Sequence, residues 1–91
     1  MRRVHTTPWS RSAMAAIGYG PDEIAEIAMS LPKDTHLHIS GSGVRGPWFV
    51  RAFVEGREIT RFDRATAGFP DLGDGVEYVL ALLRGEVVHG R

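Results

Sequence analysis

With 91 residues, no cysteine and a formal net charge of zero, the chain has room for one domain and little more. Disulfides, thiolate nucleophiles and cysteine metal sites are excluded, and the missing basic excess argues against a dedicated high-affinity nucleic-acid binder. A composition that is 43% hydrophobic and 24% charged is that of a folded protein with a small core.

MRRVHTTP (1–8) has no periodicity and reads as a flexible arm. Ser10 can cap a short helix over 11–17 that ends at Gly18, so 1–20 is expected to be an arm with a short helix and 21–91 a single α+β domain. In GPDEIAEIAMSLP, Pro21 suits the first helical position, and Asp22 and Glu23 favour the positive end of the helix dipole. Ile24, Ile27, Ala28 and Leu31 then form one apolar stripe before Pro32 stops the helix. THLHIS (35–40) alternates as a short strand, and GSGVRG (41–46) connects it to PWFVRAFV (47–54), the strongest strand pattern in the chain. Glu55-Gly56 reads as a tight hairpin turn returning REITRFD (57–63) as a third strand. After the loop ATAGFPDLG, Asp74 and Glu77 form a capping box. Val76, Val79, Leu80 and Leu83 line the helix that follows, and Gly85 ends it. EVVHGR reads as a tail that can form an edge strand.

The order helix, three strands, helix predicts a two-layer α+β fold: a three-stranded antiparallel meander with both helices on one face. A two-residue turn at 55–56 opposes Val54 to Arg57, Ala52 to Ile59 and Phe49 to Phe62. A six-residue connection opposes Ile39 to Trp48 and Leu37 to Val50. One face then collects Leu37, Ile39, Trp48, Val50, Ala52, Val54 and Ile59 as a core. The other collects His36, His38, Phe49, Arg51, Phe53, Glu58, Thr60 and Phe62.

RGPWFVRA (45–52) resembles the RNA-recognition octamer at Arg45, Gly46, Phe49 and Val50, but Pro47 and Ala52 occupy two positions where that motif stacks bases. The span from Pro21 to Gly85 resembles the double-stranded-RNA-binding domain in element order. That resemblance implies a basic cluster at the final helix, where LGDGVEYV (72–79) carries only acids. GFPDL (68–72) is similar to a segment of HicB-type antitoxins, which implies a small regulator. His36 and His38 share one strand face but lack a third ligand fixed by spacing, so they read as solvent-facing polar residues; no metal or cofactor is expected. Ser42 lies in no nucleophile-elbow pattern, and turn or capping roles explain Asp71 and Asp74. No enzyme is expected.

Three phenylalanines on one sheet face form more apolar surface than a monomer leaves in water. The expected function is therefore a small binding or regulatory protein that docks a protein partner, or a second copy as a homodimer. Phe49, Arg51, Phe53, Phe62, His36 and His38 are the expected contact residues. The alternative is a nucleic-acid-binding module in which Arg2, Arg3, Arg11, Arg45, Arg51 and Arg61 neutralise phosphates. No apolar run approaches the roughly 20 residues that span a bilayer, and the start is too short and interrupted for a signal peptide, so the expected setting is cytoplasmic. Ten arginines against one lysine point to a GC-rich coding genome, bacterial or phage.

Overall fold

Alternating side chains in two long strands organise the molecule. The computed structural model describes residues 2–41 and 47–85. Its elements are β1 (Arg3–Thr6), α1 (Pro8–Ala16), α2 (Pro21–Met29), β2 (Thr35–Gly41), β3 (Trp48–Val54), β4 (Arg57–Glu58), a 3-10 turn (Arg64–Ala67) and α3 (Leu72–Leu83). The α+β class is as expected. The sheet, however, is a mixed one of four strands in the order β1-β2-β3-β4, and it carries three helices. β2, β3 and β4 make the antiparallel meander, and β1 lies parallel to β2 with Val4 beside Leu37 and His5 beside His38. Parallel strands cannot be joined by a hairpin; α1 and α2 provide the crossover.

The N-terminal residues therefore correct the expectation of an arm. Arg3–Thr6 is a paired strand, and Met14 of α1 is fully buried. Thr7, not Ser10, caps α1. Its hydroxyl accepts the Ser10 N–H, and Pro8 follows at the first helical position. Ser10 instead reaches across the fold: its Oγ donates to the Gly41 carbonyl at 3.1 Å and accepts the Gly41 N–H at 3.3 Å.

α2 follows the sequence pattern, with Ile27 buried on its inner face, Leu31 buried just after its end, and the Glu23 carboxylate accepting the Gly20 N–H at 2.9 Å. α3 begins before Asp74. Asp71 is its cap, accepting the Asp74 N–H at 3.0 Å, because Leu72 is already a core residue and must enter the helix. Gly85 ends it with φ 76°, as expected of a left-handed cap. The tail EVVHGR lies outside the described residues.

The hairpin turn is also as expected. Glu55 and Gly56 both have positive φ, 51° and 82°, the geometry that matches strand twist in a two-residue turn. β4 stops after two residues, not seven. The Thr60 hydroxyl takes the Ala52 N–H at 3.2 Å where a strand would offer a carbonyl, and the chain turns away through Phe62 at φ 68°. In the other pair the register differs from the expected one: Ile39 opposes Val50 and Leu37 opposes Ala52. The offset is two residues, an even number, so every side chain keeps its face. Leu37, Ile39, Trp48, Val50 and Ala52 pack with Met14, Ile27, Val76 and Val79 into one core, which places the helices on that face and leaves the other without them.

Candidate functional site

Period-two alternation sends His36, His38, Phe49, Arg51 and Phe53 to the helix-free face. The parallel register brings Arg3 and His5 beside His36 and His38. The His5 and His36 rings meet edge-on at 5.0 Å, and His36 stacks on Phe53 at 5.0 Å with only 9° between the planes. The Arg51 guanidinium also lies 5.4 Å from the Phe53 ring centroid. Arg51 also donates from Nε and Nη2 to the two Glu58 oxygens, at 3.0 and 2.8 Å, and the Thr60 hydroxyl donates to the same carboxylate at 3.0 Å. Arg51 thus meets an acid of its own chain on the neighbouring strand.

Burial, reinforced by the nearby His5, Arg3 and His38 charges, lowers the His36 pKa below its usual 6.5. The Arg51 hydrogen bonds hold the Glu58 pKa below the usual 4.5 despite partial burial. The row is a cross-strand stack in which His36 bridges His5 and Phe53.

Phe49 is partly covered by its own chain. A Cβ at Gly68 would lie 2.9 Å from the Phe49 ring, and Gly68 has φ 86°, so only glycine fits there without strain. Phe62 is not on this face. The strand ends before it, and it projects from the following turn, 83% exposed, beside the Arg61 guanidinium at 5.0 Å. Trp9 is similarly exposed, a feature missed in the sequence; Ser10 and Met14, four residues apart, define the buried side of α1 and leave Trp9 outward. His38 has a buried Nδ1 without a hydrogen-bond partner among the described residues.

The six arginines of the nucleic-acid reading do not form one surface. Arg2, Arg3 and Arg11 gather at the β1 edge. Arg51 and Arg61 line a cleft of about 420 Å³ toward the opposite edge, with Phe49, Glu58 and Thr60. Arg45 lies outside the described residues. Among the described residues, no group of three histidine or carboxylate side chains is placed to hold a metal ion. None of the helices among the described residues is long and apolar enough to cross a membrane.

Several acids lie on the helix layer, which also carries the exposed Arg11. Asp22, Glu23 and Glu26 on α2 and Asp74 and Glu77 on α3 are exposed on the helix layer. The opposite layer presents Arg3, His5, His36, His38 and Arg51 against Glu58. Comparison of the chain with protein-family models, with curated proteins and with solved structures finds no match.

Proposed function

We propose that the protein is a small non-enzymatic binding protein that docks an acidic protein surface on the helix-free face of its sheet. The observation that carries this reading is the row His5–His36–Phe53–Arg51, whose rings and guanidinium are set by cross-strand stacking and by the bidentate Arg51–Glu58 pair. Side chains already ordered in the free protein lose little entropy on binding, and aromatic and arginine side chains supply most of the energy at protein interfaces. Glu58 is engaged by Arg51 and Thr60, and the Asp63 carboxylate accepts the Ala65 N–H and the Tyr78 hydroxyl; both carboxylates serve the fold. A twofold homodimer through this face would add a second Arg3 and a second Arg51–Glu58 pair and no other carboxylate among the described residues of the face, so an acidic partner fits better than a second copy. Among the described residues Arg2, Arg3 and Arg11 lie at the β1 edge and Arg51 and Arg61 toward the other, so no continuous cationic track follows the aromatic row and a protein fits better than a nucleic-acid strand.

The test is affinity capture from the native host with two baits, the wild-type chain and Phe53→Glu. A protein retained by the wild type and lost from the folded variant is the expected result. Equal recovery on both baits, or a retained species that nuclease removes, overturns the reading.

A further inference from the structure

Among the described residues, no strand pairs with the outer side of β1; its inner side pairs with β2 in the order β1-β2-β3-β4. Main-chain N–H and C=O groups on such an edge can accept an added strand. Beside this edge, between β1 and α2, lies a groove of about 440 Å³. Val4, Ile24 and Ala28 give it an apolar floor, and Arg2, Arg3 and Arg11 rim it. None of these three arginines has a carboxylate partner among the described residues.

A strand edge and three cations that have no partner among the described residues, together with an apolar floor, specify an occupant in which main chain, apolar side chains and acids occur together. We propose that the β1 edge and its groove bind an extended acidic segment of another protein. The segment adds to β1 as a fifth strand. Its side chains point alternately to the two sheet faces: apolar ones on the helix side fill the groove against Ile24 and Ala28, carboxylates on the other side meet Arg3, and Arg2 and Arg11 add attraction at longer range. A second copy of this chain is a poor occupant, since pairing β1 with β1 brings two sets of these arginines to one edge and β1 carries no carboxylate to offset them. Charges on an edge strand commonly prevent pairing between identical molecules; here the same charges select a partner of opposite sign. The groove is distinct from the aromatic row, because Val4 and Ile24 lie on the helix side of the sheet and Phe53 and His36 on the other, with Arg3 bordering both.

The experiment is a nuclear magnetic resonance titration of the isotope-labelled full chain with three probes. These are a blocked heptapeptide alternating glutamate with valine, its counterpart with lysine in place of glutamate, and an oligothymidine of similar length. The glutamate peptide should shift amides at 3–6 and 24–28 and slow their exchange. Ala25→Glu, an exposed change beside the groove, should weaken it about tenfold by like-charge repulsion, as should Arg11→Glu by reversing a charge at the groove rim. Phe53→Glu should keep this binding while losing the partner captured through the sheet face, so the two sites fail separately. Equal binding by the lysine peptide, the same shifts with oligothymidine, or peptide shifts centred on His36 and Phe53 would overturn the assignment.

Discussion

At the β4 edge the chain closes its own sheet, whereas at the β1 edge the described residues add no further strand and surround it with charge. Along the outer side of β3, Trp48 exchanges two main-chain hydrogen bonds with Phe69, at 2.7 and 2.8 Å. Ala52 accepts the Ile59 N–H at 2.9 Å and donates to the Thr60 hydroxyl. A bridge, a two-residue strand and a side chain thus occupy that side piecemeal, and no uninterrupted row of donors and acceptors remains. β1 is four residues long, has one partner strand and carries arginine at its start. Covering an edge with the chain's own turns makes it inert; guarding it with charge leaves a surface that an oppositely charged chain can still read.

The largest effect that could break this comparison concerns whether the β1 side belongs to the cooperative core at all. Met14→Ala should destabilise the protein by about 2–5 kcal/mol, the cost of a cavity at a fully buried methionine. Urea unfolding would measure it, and a loss below about 0.5 kcal/mol would mean that β1 and α1 are an appendage. On the closed side, Thr60→Val keeps shape but leaves the buried Ala52 N–H without its acceptor. An unpaired buried donor costs about 1–3 kcal/mol, so an unchanged urea midpoint would contradict the role given to this side chain. The smallest effect is one of pH and reads the contact of β1 with β2. Burial, with His5, Arg3 and His38, lowers the folded His36 pKa below 6.5. As pH falls, the unfolded chain therefore takes up this proton first. The stability His36 contributes is present above about pH 6.5 and is lost as pH drops through its folded value. The thermal midpoint should be lower at pH 5 than at pH 7.5, and His36→Gln should narrow that difference; an unchanged difference would remove His36 as its source.

The meander was legible because alternation is a local property. Leu37, Ile39, Trp48, Val50 and Ala52 announce one buried face whatever their partners, and an error of two residues in register left that face intact. The helix-free face was legible for the same reason, down to Phe49, Arg51 and Phe53. What it touches was not: the stacking of His36 on Phe53 and the pairing of Arg51 with Glu58 depend on the true register. β1 was invisible for a different reason. Of its residues only Val4 is apolar, and its pairing partner is more than thirty positions away in the chain. Phe62 looked like a strand residue because the pattern continues to it, but a threonine hydroxyl can replace a main-chain acceptor and end a strand without any glycine or proline to mark the place. The start of α3 was displaced by two aspartates with equal local claims to cap it; the burial of Leu72 decides between them.

The bond between Ser10 and Gly41 spans 31 residues and bears on the order in which the molecule assembles. The hairpin of β3 and β4 closes through two residues, while bringing β1 and α1 onto β2 closes a loop of about thirty, at an entropic cost of about 3 kcal/mol. Contacts of such separation form late and reopen as a unit. Native-state hydrogen exchange should therefore release the amides of 3–6 together and ahead of those in β3; uniform protection across the sheet would show that the N-terminal strand is as old in the folding pathway as the strands it joins.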